Sequence, residues 1–218
     1  MPSPRTAFDD ALYAAQGENL NAQNVMKLTQ SEASAMVQAA IARWAEAGLS
    51  ATDFAKLQSL SFEVADLPAG QLATASSSKI TLDETAAGYG WFFDTTPSDD
   101  NEFEVQVWDK ERQSTETSAA NGRMDLLTAL MRELGSFVTP GKAGFRGAAA
   151  WLMQGTLNTD TRRAPAAFTI RDIGKVKSAP DATRVAQQVR ATGAAKSYQQ
   201  VAASNGPRNS RQWPTICW

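Results

Sequence analysis

The feature that most limits how this chain of 218 residues can fold is an apolar stripe between residues 126 and 138. Its large apolar side chains recur at three- and four-residue intervals, which place them on one face of an α-helix: Leu126, Leu127, Leu130, Met131, Leu134 and Val138. Pro140 and Gly141 follow and are typical of a helix end. We therefore predict a helix over Arg123–Val138 that buries one face in a core.

A second apolar stripe lies earlier in the chain and has the same helical period: Ala33, Met36, Val37, Ala40, Ile41 and Trp44. Thr29 and Glu32 precede it with the spacing of a capping box, in which each side chain accepts from the other residue's backbone N–H. This pattern predicts a helix over Thr29–Ala47 that ends at Gly48. Ser50 is a candidate cap for a second, short helix.

Between these helices, apolar and polar residues alternate, as is typical of half-buried β-strands. We predict strands at residues 60–65, 80–82 and 103–107, and a weak helix around Phe8–Ala15. The mixture predicts an α/β (α+β) fold in which a twisted mixed sheet packs against two main helices. Their contact with the sheet should use these side chains: Ile41, Trp44, Leu127, Leu130 and Leu134.

Charge divides the chain into two parts of opposite sign. Residues 1–160 contain 11 basic and 21 acidic residues, whereas residues 161–218 contain ten basic and two acidic residues. We therefore predict a polar lead-in at 1–27, a folded domain at 28–163, and a basic, poorly ordered tail at 164–218. Nucleic-acid binding is disfavoured because aromatic residues do not alternate with the basic residues of the tail.

The composition excludes several kinds of chemistry. The chain contains no histidine, and Cys217 is its only cysteine. Ser-His-Asp catalysis, internal disulfides and cysteine-based metal clusters are therefore excluded. No apolar run approaches the ~20 residues of a membrane span, so we expect none. The first residues lack the apolar core of a signal peptide, so we expect none in this chain.

The segment Arg123–Gly135 resembles the active-site helix of matrixin-like (metzincin) zinc metallopeptidase domains, which occur in very large bacterial secreted and surface proteins. Further segments match that domain type in the same order: 28–32, 42–44, 62–68, 86–97, 102–103, 152–157 and 161–163. The resemblance thus covers residues 28–163. It implies a metzincin-like fold, a secreted or cell-surface location, and zinc as the cofactor of the family.

In the family motif H-E-x-x-H, two histidines one helical turn apart bind zinc, and the glutamate acts as general base on the zinc-bound water. A third histidine follows six residues later. By resemblance, the zinc-ligand positions here hold Arg132, Ser136 and Lys142, and Glu133 is a vestigial general base. Met153 is the candidate for the family's methionine turn. Because all three ligands are replaced, we expect neither zinc binding nor peptidase activity.

An acidic segment is the candidate for a second kind of metal site. Asp94, Asp99 and Asp100 lie close together in the sequence, and carboxylate oxygens are calcium ligands. Their spacing is not that of an EF-hand, so a solvated acidic loop is the favoured interpretation and a calcium site is the alternative. We therefore expect no cofactor, and calcium is the alternative that the residues themselves suggest.

The sequence predicts a metallopeptidase-like module that has lost its zinc ligands and is catalytically inactive. Its partner would be an unidentified protein or a component of the extracellular matrix. Two alternatives stay open: an extracellular adhesion module that uses the same scaffold, and a damaged reading frame of a true zinc metallopeptidase. The second alternative arises because departures from the family cluster between residues 132 and 150.

Overall fold

The computed structural model describes residues 11–22, 24–138 and 151–166, and it mixes α-helices with β-strands. The described helices are α1 (Gln30–Glu46), α2 (Ala51–Gln58) and α3 (Leu126–Val138). The described strands are β1 (Ala11–Ala14), β2 (Ser61–Ala65), β3 (Gln71–Ser76), β4 (Lys79–Asp83), β5 (Trp91–Phe92), β6 (Val105–Trp108), β7 (Glu111–Gln113), β8 (Met124–Asp125), β9 (Thr156–Leu157) and β10 (Thr161–Arg163). The predicted mixed α/β class is therefore confirmed.

The first two helices begin at the caps that the sequence indicates. The Thr29 hydroxyl accepts from the backbone N–H of Glu32 at 3.2 Å, and the Glu32 carboxylate accepts from the backbone N–H of Thr29 at 3.0 Å. Ser50 caps α2 by accepting from the backbone N–H of Asp53 at 3.1 Å. Both predicted caps are thus confirmed, and they fix where α1 and α2 start.

A five-stranded sheet forms one layer of the fold, in the order β2-β4-β3-β1-β9. The β2/β4 and β1/β9 pairs are parallel, whereas β3 is antiparallel to both β4 and β1. Two smaller ladders lie outside this sheet: the pair β5-β8, and the three-stranded sheet β10-β7-β6. The sheet is therefore mixed, as predicted.

Strand β1 corrects the expectation of a weak helix around Phe8–Ala15. Ala11–Ala14 is a strand with neighbours on both sides, and Leu12 is fully buried. Pairing with β3 and β9 satisfies its backbone and outweighs a weak local helix preference. The predicted lead-in at 1–27 therefore supplies an inner strand of the five-stranded sheet. The predicted tail at 164–218 lies outside the described residues from 167 onward.

One buried cluster joins α1, α3 and the five-stranded sheet. All five side chains predicted for this contact belong to it: Ile41, Trp44, Leu127, Leu130 and Leu134. The indole Nε1 of Trp44 also donates to the backbone carbonyl of Met131 at 2.9 Å, which ties α1 to the middle of α3. The predicted packing is thus confirmed, and it places α3 in the core. No helix within the described residues has the length and apolarity to cross a membrane.

Candidate functional site

Helix α3 carries Arg132, Glu133 and Ser136, three of the residues that the resemblance assigns to a zinc site. Arg132 and Glu133 are both buried, with 4% and 0% of their surface exposed. The Arg132 Nη1 atom donates to Glu133 Oε1 at 2.5 Å, so the two side chains form a buried ion pair. A charge that is buried away from water loses its hydration, and a nearby opposite charge offsets part of that cost. The carboxylate at the general-base position is therefore held by a cation from its own helix.

Ser136, one turn after Arg132, lies on the exposed surface of α3. Its hydroxyl donates to the backbone carbonyl of Glu133 at 2.7 Å, a local helix interaction that polar side chains commonly make. Lys142, at the third ligand position, lies outside the described residues. The structure therefore places Arg132 and Glu133 together, whereas Ser136 contacts only the backbone of that pair.

Met153 lies against the same helix. It is buried, and a Cβ atom built on Gly135 would lie 2.8 Å from its Sδ atom and 2.9 Å from Cζ2 of Trp44. Only glycine leaves room for such a close approach at this point of α3. The segment that the resemblance assigns to a methionine turn thus packs directly beside the would-be zinc positions.

The described side chains at these positions do not fit zinc. A protonated guanidinium has no lone pair for a metal, and it repels a dication. Within 11–22, 24–138 and 151–166, no group of three or more His, Cys, Asp or Glu side chains is arranged to hold a metal ion. Of the three positions that the resemblance assigns to zinc ligands, the two that the structure describes therefore hold a guanidinium and a hydroxyl.

Two arginines contact the acidic segment that contains the candidate calcium residues. Asp94 is fully buried, and its Oδ2 atom lies 2.7 Å from Nη1 of Arg162. Asp100 accepts from Nη2 of Arg43 at 2.7 Å. Asp99 binds within its own loop, accepting from the backbone N–H of Asn101 at 3.1 Å. Guanidinium groups thus contact two of the three candidate calcium carboxylates, those of Asp94 and Asp100, and this disfavours a calcium ion there.

Arg162 is a buried residue that contacts Asp94 and Asp125, and we call these three residues the arginine hub. The sequence motifs included Arg162 only as part of the matching segment 161–163. Only 1% of the surface of Arg162 is exposed, and its Nε and Nη2 atoms donate to the two oxygens of Asp125 at 3.0 and 2.9 Å. Its guanidinium carbon lies 4.3 Å from the centre of the Phe103 ring, a cation–π contact. Arg162 therefore joins β10, the acidic segment and the start of α3.

The pKa values of Asp94 and Arg162 differ from the ordinary values of these side chains. Burial raises the pKa of Asp94 from 3.8 to about 6, although the positive charge of Arg162 acts in the opposite direction. The nearby Glu102 carboxylate raises the pKa of Asp94 further. Burial alone would lower the pKa of Arg162, but Asp125 and Asp94 raise it overall. Arg162 is therefore charged across the ordinary pH range, whereas Asp94 titrates near pH 6.

A polar cleft of about 490 Å³ opens beside this hub, between the end of α1 and the β6–β7 hairpin. Its lining mixes both signs of charge: Arg43, Glu46, Asp100, Asp109, Lys110, Arg112 and Arg162. Several of these groups are already held by protein partners, as Arg112 is by the Phe103 carbonyl at 3.1 Å. The cleft thus shows no convergent set of groups that would select one ligand.

Comparison with protein-family models, curated proteins and solved structures finds no match to this chain. The resemblance to matrixin-like peptidases therefore rests on the sequence motifs. What the structure adds is independent of that resemblance: a buried Arg132–Glu133 pair on α3 and a buried arginine hub beside the acidic segment.

Proposed function

We propose that this chain is a metallopeptidase-like module of a secreted or cell-surface protein that neither binds zinc nor cleaves peptides. The buried ion pair between Arg132 and Glu133 carries the proposal. In a zinc peptidase the general base must be able to take a proton from the metal-bound water. Here the carboxylate that would do so instead compensates a neighbouring guanidinium.

The surroundings of the pair support the same conclusion. Both side chains are enclosed in the protein, so the pair is a component of the core and not a group poised toward a substrate. Ser136, the one described residue at a ligand position with an exposed surface, offers only a weakly coordinating hydroxyl. We thus propose that α3 resembles the active-site helix of a peptidase but serves only to pack the core of this module.

The direct test measures zinc and proteolysis on the full chain. We expect no stoichiometric zinc by mass spectrometry after dialysis against zinc chloride, and no zinc-dependent degradation of casein or gelatin. Glu133→Ala serves as the background control, since any protease that contaminates the preparation remains in it. Zinc-dependent cleavage that Glu133→Ala abolishes, in a variant with an unchanged circular-dichroism spectrum, would contradict the proposal.

A further inference from the structure

Strand β6 exposes an apolar surface. Val105, Val107 and Trp108 are exposed by 48%, 47% and 58%. The indole of Trp108 lies beside that of Trp151, with 6.4 Å between ring centres, and Trp151 is itself 38% exposed. We call these four residues the β6 surface. Contiguous apolar residues on a surface commonly mark a site of protein–protein contact.

Within the part of the chain that the structure describes, the backbone of β6 pairs on one side only. In the order β10-β7-β6, β6 is the outer strand, and β7 is its one paired neighbour among the described residues, with a register shift between Gln106 and Trp108. An outer strand presents a row of N–H and C=O groups that can accept another strand. The β6 surface therefore combines apolar side chains with a backbone edge, which are the two elements of strand addition.

The charges that flank β6 argue against a second copy of this chain as the added strand. Exposed Glu104 precedes the strand and exposed Asp109 follows it. Antiparallel pairing of two copies about the centre of β6 places Glu104 of each copy opposite Asp109 of the other. Parallel pairing in register places Glu104 beside Glu104. Like charges directly opposite each other are destabilising in either case.

We propose that β6 is a docking edge for an extended segment of a partner protein that carries alternating apolar residues between two basic residues. The partner's backbone would pair with β6, and its apolar side chains would cover Val105 and Val107. Its lysine or arginine residues would lie opposite Glu104 and Asp109. This inference is independent of the zinc chemistry, because no residue of the β6 surface belongs to the helix α3 site.

A synthetic peptide whose two lysines have the five-residue spacing of Glu104 and Asp109 can serve as the probe: acetyl-Lys-Thr-Val-Thr-Val-Lys-amide. We expect saturable binding to the full chain by tryptophan fluorescence, with hydrogen-exchange protection confined to residues 104–109. A peptide with Glu in place of both Lys should bind about tenfold more weakly, because two favourable cross-strand pairs become unfavourable. A peptide with proline in place of its first valine should not bind, because proline cannot donate to the ladder.

A charge-reversed chain provides the decisive comparison. Glu104→Lys with Asp109→Lys should prefer the Glu peptide, whereas Glu18→Lys with Glu116→Lys, at exposed sites elsewhere, should keep the preference of the unmodified chain. All four substitutions are on the surface, so folding should be retained. Equal binding of both peptides, protection outside residues 104–109, or dimerisation of the unmodified chain through β6 would overturn the proposal.

Discussion

The side chains of Arg162 and Asp125 form a two-pronged buried ion pair, with N–O distances of 3.0 and 2.9 Å. Asp125 also accepts from the backbone N–H and the hydroxyl of Thr128, at 3.1 and 2.6 Å. One carboxylate thus both caps the start of α3 and binds the arginine of β10. Because Arg162 also contacts Asp94, the position of the acidic segment is linked to the position of α3.

Replacing Arg162 should therefore destabilise the protein strongly. Arg162→Met leaves Asp94 and Asp125 buried without their guanidinium, and we expect a loss of about 3–5 kcal/mol in the free energy of unfolding. Arg162→Lys keeps the charge but cannot form the planar fork, so its loss should be intermediate. Urea denaturation measures both. Arg123→Met, at an exposed site, is the control and should change the free energy of unfolding by less than about 0.5 kcal/mol. An equal effect of Arg162→Met and Arg123→Met would contradict a stabilising role of the buried Arg162 ion pairs.

The raised pKa of Asp94 predicts a specific dependence of stability on pH. Between its unfolded value of 3.8 and its folded value of about 6, the folded state binds the proton more tightly. The contribution of Asp94 to stability therefore falls as the pH rises through this window, by about 3 kcal/mol in total.

Asp94→Asn removes the titration of Asp94. Comparing this variant with the unmodified chain therefore separates the contribution of Asp94 from that of the other carboxylates. The free energy of unfolding of the unmodified chain, minus that of Asp94→Asn, should decrease from about pH 4 to about pH 7 and then stay level. Asp66→Asn, at an exposed site, controls for the loss of one charge. A difference that increases with pH would show that Asp94 is stabilised as the carboxylate, contrary to the dominance of burial.

Sequence patterns correctly predicted the helices and strands in which the local sequence and the contacts with the rest of the fold favour the same structure. Helix α1 combines a capping box with a long apolar stripe, and its observed bounds lie within one residue of the predicted ones. Helix α3 begins at Leu126 and not at Arg123, because Met124 and Asp125 pair with Trp91 and Phe92 in the β5–β8 ladder. That contact spans more than thirty residues of sequence, so no local pattern around Arg123 could reveal it.

The parts that sequence did not predict depend on distant partners. Strand β3 is made largely of small residues, and only its pairing with β1 and β4 identifies it as a strand. Asp94 and Asp100 looked like solvated acids or calcium ligands because Arg162 and Arg43 are about sixty residues away from them. The sole signal was the excess of acidic residues in one segment. Charge compensation from elsewhere in the chain is visible only in three dimensions.

Gly135→Ala should be destabilising even though alanine favours helices more than glycine by about 1 kcal/mol. The added Cβ would approach Met153 Sδ and Trp44 Cζ2 to under 3 Å. The methionine can move, but Trp44 is held by its hydrogen bond to Met131. We expect a net loss of about 1–3 kcal/mol by chemical denaturation. Ser136→Ala, the exposed neighbour, should be nearly neutral; a stabilised Gly135→Ala variant would contradict this close packing.

The ion pair on α3 predicts strong coupling between its two members. Arg132→Met alone leaves the Glu133 carboxylate buried without this guanidinium, and we expect a loss of about 3–5 kcal/mol in the free energy of unfolding. The double variant Arg132→Met/Glu133→Leu removes both charges and should be more stable than Arg132→Met. A double-mutant cycle by urea denaturation measures this coupling. Strictly additive losses would show that the two side chains do not depend on each other.

The same pair makes a prediction for the restored zinc motif. In Arg132→His/Ser136→His/Thr139→Gly/Lys142→His, Glu133 loses its guanidinium, so the metal-free variant should be less stable than the unmodified chain. If the resemblance is right, zinc at the three histidines supplies the missing positive charge and should raise the melting temperature of this variant, because it binds the folded state. The two-histidine variant lacks the third ligand and should show a much smaller rise. Thermal unfolding with and without zinc chloride measures both, and an equal response of the two variants would contradict a zinc site at these positions.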